Sequence, residues 1–96
     1  MLKLLRVSGD SLFPEYKEGD FVFISKIPLF FLPLKPGDIV AFRRPVAGIW
    51  IKMVERLNPE EDKIYVIGTN ENSVDSRHFG PIRKKDILGK VIWHIK

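Results

Sequence analysis

Apolar residues come in short runs along this chain, each closed by a glycine, a proline or a charged pair. Leu2, Leu4 and Arg6 alternate with Lys3, Leu5 and Val7, the period of two that belongs to a strand. Asp20-Phe21-Val22-Phe23-Ile24-Ser25 is rich in β-branched and aromatic residues and predicts a second strand. Asp38–Arg43 predicts a third. Pro45-Val46-Ala47-Gly48 then turns the chain into a strand through Ile49–Val54 that ends near Leu57-Asn58-Pro59. After the acidic loop Asn58–Asp62, Lys63–Gly68 and a closing segment around Ile87–Ile95 complete the pattern. No stretch sustains a helical apolar period; residues 11–15 suit one helical turn at most. The expected fold is mostly β, small and antiparallel, with six or so short strands.

The pattern also contains an echo. Glu18-Gly19-Asp20-Phe21-Val22-Phe23-Ile24 resembles Pro36-Gly37-Asp38-Ile39-Val40-Ala41-Phe42, and in each the Gly-Asp pair makes a turn from which a buried strand continues. The aspartates are read as turn formers without chemistry of their own. Between the two copies lies Ile27-Pro28-Leu29-Phe30-Phe31-Leu32-Pro33-Leu34. Its prolines forbid a regular helix or a central strand. Two readings remain open for it: a loop folded back into the core, or an exposed apolar patch that touches membrane or a partner.

Length and charge narrow the classes. Ninety-six residues are expected to form one domain, 1–96, which buries only about two-thirds of its unfolded surface. The net charge is +4, but the only basic clusters are Arg43-Arg44 and Arg83-Lys84-Lys85, and no aromatic residues interleave with them. Nucleic acid is therefore set aside in favour of a solvated basic face with some attraction for anionic lipid. Cysteine is absent, which removes disulfides and thiolate metal sites. No run approaches the roughly 20 apolar residues of a spanning helix, and residues 1–7 are too short and too charged for a signal peptide. The expectation is a soluble, cytoplasmic protein, with peripheral membrane contact through Ile27–Leu34 if that patch is exposed.

Candidate chemistry starts at Val7-Ser8-Gly9-Asp10-Ser11-Leu12-Phe13-Pro14, where Ser11 sits between a glycine-containing turn and a proline. A hydroxyl is a weak nucleophile until a base stands beside it, and neither His78 nor His94 is well placed in the sequence to serve. Lys52 interrupts the apolar run Ile49-Trp50-Ile51-Lys52-Met53-Val54. On a strand it shares a face with Trp50 and Val54, so its own side is apolar. Desolvation there disfavours the ammonium and leaves a free amine. The plainer alternative is an edge-strand lysine pointing to water. Thr69–Gly80 is dense in small hydrogen-bonding residues and reads, on its own, as a solvated loop. Two histidines are too few for a zinc site, which wants three or four convergent ligands; no metal or cofactor is expected.

Taken together, four blocks in order resemble the type I signal peptidases and their relatives, serine proteases that use a Ser/Lys dyad. Residues 7–14 resemble the nucleophile motif V-x-G-x-S-M-x-P, and Gly37–Phe42 the family's central strand. Ile51-Lys52-Met53-Val54 resembles Y-I-K-R-V, and residues 68–80 resemble G-D-N-x-x-x-S-x-D-S-R-x-x-G. The resemblance implies the fold shared by signal peptidases and SOS-repressor C-terminal domains. It makes Ser11 the nucleophile and Lys52 the base, and it matches Ser73 to the hydroxyl that orients the lysine amine. Asp75 and Arg77 match an ion pair that braces this wall of the site. The backbone N–H of Ser11 is the natural oxyanion donor, while Gly9 stands where some relatives carry a second donor, a serine. No cofactor is implied, and the partner is a precursor protein or peptide.

Departures from the pattern are Leu12 for Met, Glu15 for Thr, Met53 for Arg and Thr69 for Asp. With the lack of a membrane anchor they suggest a branch away from housekeeping signal peptidases. The segment Asp75–Ile82 is most similar to proteases that mature nickel-type superoxide dismutase by removing a pro-segment. Two other functions fit the same fold: a self-cleaving regulator of the SOS-repressor type, and a non-catalytic peptide-binding module. The block Ser73–Arg77 sides with the signal peptidases against the first, as does the expectation that no DNA-binding domain or long cleavable arm precedes Ser11. The intact pair Ser11 and Lys52 argues against the second.

Overall fold

Strands form where β-branched and aromatic residues alternate: β1 (Leu2–Arg6), β2 (Phe21–Ser25), β3 (Ile39–Arg44), β4 (Gly48–Asn58), β5 (Lys63–Ile67) and β6 (Ile87–Ile95). They belong to a computed structural model that describes residues 2–7, 16–26, 34–44, 48–68 and 74–95. The strands make one sheet in the order β1-β2-β6-β3-β4-β5, every neighbouring pair antiparallel. The expected mostly β, antiparallel architecture is what the chain adopts. The closing strand is a central one: β6 runs between β2 and β3, so the C-terminal residues join the two halves of the sheet.

Both faces of the sheet carry core. Val40 and Ala41 are consecutive in β3 and so point to opposite sides. Val40 packs with Phe42, Val54, Ile64, Val66, Ile82 and Ile87, whereas Ala41 packs with Val7, Val22 and Ile24. Each fully covered Val, Ile or Phe contributes about 1.5–3 kcal/mol relative to its exposed state. In β1 it is Leu5 that packs against the core, with buried Val7 just beyond the strand; Leu2 and Leu4 stay exposed on the other face. The register sets Leu4 beside Phe23 and Trp93, and Phe21 beside Ile95, on that same face. Trp93 is 65% exposed there.

The two Gly-Asp turns repeat each other in detail. Gly19 and Gly37 have φ of +92° and +96°, a left-handed backbone that a side chain would strain. In each turn the aspartate carboxylate accepts the N–H of the lysine three residues earlier: Asp20 from Lys17 and Asp38 from Lys35, both at 3.0 Å. Each aspartate also meets a basic side chain of β6. His94 Nε2 lies 2.8 Å from Asp20, and Lys90 Nζ lies 3.2 Å from Asp38. The turns thus tie the starts of β2 and β3 to the strand between them. Gly89 permits that fit, because a Cβ there would meet the Ser25 backbone and Ile24 at 3.2 Å.

The Lys17 backbone N–H, and then His94, hold the Asp20 carboxyl below its ordinary 3.8. A depressed carboxyl stabilises the fold fully above its unfolded value, and that contribution is lost as pH falls through the folded one. The melting-temperature gap between wild type and Asp20→Asn should therefore shrink as pH falls below 3.8. Thermal melts from pH 7 to pH 2.5 check this; a gap that does not narrow in acid would remove the carboxylate from the account.

Residues 11–15, expected as a helical turn, lie outside the described residues, as do 27–33 of the apolar patch. Its last residue, Leu34, packs partly buried against the Val40 cluster, as the core reading of the patch requires at that position. Part of the stretch expected as a solvated loop, Ser76–Phe79, forms a short helix, α1. No helix among the described residues is long and apolar enough to cross a membrane.

Candidate active site

Lys52 sits in β4, opposite Val40 in β3, with its neighbours Trp50 and Val54 on the same face. It is 3% exposed. Period two put a charged residue on the buried side of a strand, and the flanking apolar residues keep it there. Its Nζ stands 5.4 Å from the centre of the Trp50 ring, close enough for the ring face to attract an ammonium. The alternative of a lysine pointing to water fails on burial, although β5 pairs with β4 only from Met53 onward.

A second wall is built by α1. Asp75 is its N-cap: the carboxylate accepts the Arg77 N–H at 3.0 Å, and the Asp75 N–H donates to His78 Nδ1 at 3.3 Å. The same carboxylate accepts the Gly68 N–H at 3.1 Å, and Ser76 Oγ accepts the Val66 N–H at 2.8 Å. These bonds dock α1 on the end of β5. The Arg77 guanidinium grips Asp75 with two bonds, Nε at 2.9 Å and Nη2 at 2.7 Å. Asp75 is wholly buried, while more than half of the Arg77 side chain faces water. The hydrogen bonds that Asp75 accepts from it, and then the charge of Asp75, raise the guanidinium above its already high ordinary value. Arg77 stays cationic throughout.

The two walls meet through rings. Phe79 of α1 packs edge-on against Trp50, centres 5.7 Å apart, and Arg44 of β3 lies over Phe79 at 4.0 Å. Asp75 caps α1, α1 places Phe79, Phe79 abuts Trp50, and Trp50 lines Lys52. The sequence assigned Asp75 and Arg77 a bracing role; their geometry couples them to the lysine through this aromatic pair. What the sequence missed is Phe79, an aromatic at the end of a polar stretch, and the interior position of β6. The helix was signalled by Asp75-Ser76-Arg77-His78, an N-cap with a side chain three residues on that can bond back.

Ser11, Gly9 and Ser73 lie outside the described residues. The nearest described residues to Ser11 on either side are Val7 and Tyr16. His78 serves the α1 cap and is exposed; His94 is bound to Asp20 and stacked on Tyr16. No group of three or more metal-ligating side chains occurs among the described residues.

The sequence is similar to known proteins. The family described as Peptidase S24-like matches residues 1–92. The chain is also 26% identical, over a gapped span of 136 positions, to Signal peptidase I V of Bacillus subtilis (strain 168), covering 90% of this chain and 81% of that protein.

Proposed function

The chain belongs to the Peptidase S24-like family, and from that premise we propose that it is a serine endopeptidase with Ser11 as nucleophile and Lys52 as general base. Membership supports a peptidase or self-cleaving activity; the residues assigned here go further. The observation that carries the reading is the buried lysine on an apolar face of β4, beside Trp50. Burial of an amine in such surroundings is what turns a lysine into a base.

The steps follow from that pairing. Ser11 Oγ attacks the scissile carbonyl carbon as Lys52 Nζ accepts its proton. The backbone N–H of Ser11 donates to the oxyanion. The intermediate collapses to an acyl-enzyme, and the Lys52 ammonium returns the proton to the leaving amine. Water, deprotonated by Lys52, then releases the acid and restores Ser11. Ser73 orients the amine; Asp75 and Arg77 hold α1 and, through Phe79 and Trp50, the ring beside it. Gly9 leaves the second oxyanion donor to another group.

Residues 1–96 act on this reading as one catalytic unit. The substrate is a precursor from which a leader or pro-segment is cut, with the pro-segment of nickel-type superoxide dismutase as the finer candidate. The protein works in the cytoplasm, and Ile27–Leu34 supplies peripheral membrane contact where the patch is exposed.

Candidate precursors encoded nearby are to be incubated with wild type and with Ser11→Ala, and fragments read by mass spectrometry. Wild type should give one defined cut and the folded variant none. Equal cleavage by Ser11→Ala overturns the assignment. Fragments of the chain itself, formed at a rate independent of concentration, would favour the self-cleaving alternative. A folded protein that neither cuts nor becomes acylated would be the binding module.

A further inference from the structure

A second cation stands beside Trp50. Period two in β3 places Val40, Phe42 and Arg44 on one face, and the register sets them opposite Lys52, Trp50 and Gly48 of β4. Arg44 therefore shares the face of the candidate base. Its guanidinium lies 4.0 Å from the centre of the Phe79 ring and 5.8 Å from that of Trp50. Lys52 Nζ is 5.4 Å from the same Trp50 centre, so the two cations are at most about 11 Å apart, roughly three residues of extended peptide.

Ring faces hold this guanidinium where a counter-ion commonly would. No carboxylate among the described residues pairs with Arg44, and its Nε is buried without a hydrogen-bond partner. A buried donor left unpaired is uncommon in a folded chain. Asp75, the buried carboxylate of the same wall, is already gripped by Arg77. Arg44, Trp50 and Phe79 are each only partly buried, so the shelf they form reaches solvent. Beside it, a Cβ built on Gly48 would meet no described atom within 4 Å, which leaves the face open next to the guanidinium.

We propose that Arg44 is a specificity-determining residue that takes an acidic side chain of the peptide, within about three residues of the bond that is cut. The proposal rests on the reading of this chain as a peptidase with Lys52 at its site. A guanidinium is planar and always charged, and its paired donors match a carboxylate bidentately. The ring faces fix its plane beforehand, so less side-chain freedom is lost when the carboxylate arrives. An amide of the same shape keeps one acceptor but lacks the charge, and charge-assisted bonds are roughly twice as strong as neutral ones. Glu and Gln at one position of the peptide are therefore told apart by this residue.

The test uses a precursor peptide that wild type cuts, amidated at its C-terminus, with every acidic residue replaced by Gln. Glu is then returned at one position at a time, up to about three residues on either side of the cut. At one position Glu should raise kcat/KM about 10- to 100-fold over Gln. Arg44→Gln should bring that ratio near one. Arg44→Lys keeps the charge but not the fork; it should keep only part of the ratio, and it carries the test if Arg44→Gln does not fold. A wild type that never distinguishes Glu from Gln overturns the proposal. So does a folded variant that keeps the full ratio, since a merely structural Arg44 slows both peptides alike. If wild type cuts none of the precursor peptides, the peptidase reading falls by itself. Fluorescence anisotropy of the labelled Glu and Gln peptides then decides the role of Arg44: the Glu form should bind wild type more tightly than Arg44→Gln, and equal binding of the two forms overturns the proposal.

Discussion

Lys52→Met should cut nothing and melt above wild type at pH 7. Methionine keeps an unbranched apolar stem of similar length in the same slot between Val40, Trp50 and Val54. It removes an amine that is 3% exposed. Burial and the Trp50 ring act on the ammonium in opposite directions. Removing it from water costs several kcal/mol even after relaxation. The Trp50 ring, 5.4 Å away, returns about 0.5–2 kcal/mol. As the general base proposed above, Lys52 has to bind its proton less tightly in the folded chain than in the unfolded one, and each pH unit of that difference costs about 1.4 kcal/mol. The sign follows from linkage: the unfolded chain holds a proton that the folded chain gives up more easily, so stability rises with pH. The penalty is full below the folded value and vanishes above about 10.4. Wild type should therefore gain on Lys52→Met as pH rises from 7 to 10, while its kcat/KM climbs over the same range as the amine is freed. Melts of both proteins at pH 7 and pH 10 measure it. A Lys52→Met protein clearly less stable than wild type at pH 7 would make Lys52 a bonded structural residue rather than a desolvated base.

That burial was legible because period two in β4 is a local rule: Trp50 and Val54 sit two residues either side of Lys52 and share its face. The strands were legible for the same reason, and so were the Gly-Asp turns, whose geometry depends on four consecutive residues. Legibility ended where partners are distant in sequence. His94 and Asp20 are 74 residues apart, and nothing local in Val91–Ile95 says that the last strand slips between β2 and β3. The exposed face of β1 could not be chosen either, because Leu2, Leu4 and Leu5 make both phases apolar. Around Ser73–Arg77 the polar composition suggested water, yet Asp75 lies at depth. Buried polar groups look like loop residues until their donors are found, and the Gly68 and Arg77 N–H groups that satisfy Asp75 are set by tertiary docking.

Asp75 should accordingly be the least replaceable polar side chain on the described part of the site. Asp75→Ala removes the cap of α1, worth about 1 kcal/mol, and leaves the Gly68 and Arg77 N–H groups without their acceptor, at about 1–3 kcal/mol for each that water cannot reach. The Arg77 guanidinium is more than half exposed and finds water when its partner goes, so it adds little to the loss. The expected cost is about 3 kcal/mol, and at about 4–8 °C per kcal/mol the drop in melting temperature will be unmistakable in a domain of this size. Asp75→Asn separates shape from charge. One oxygen remains to accept, but the amide N–H₂ now faces donors from Gly68 or Arg77, so part of the loss should persist. Trp50 gives a second readout, because Phe79 rests edge-on against it and is placed by the helix that Asp75 caps. With Trp93→Phe as background, Trp50 emission should shift in Asp75→Ala below its melting point. A loss under about 1 kcal/mol with unchanged emission would mean that water substitutes for the carboxylate, and that the wall beside Lys52 stands without it.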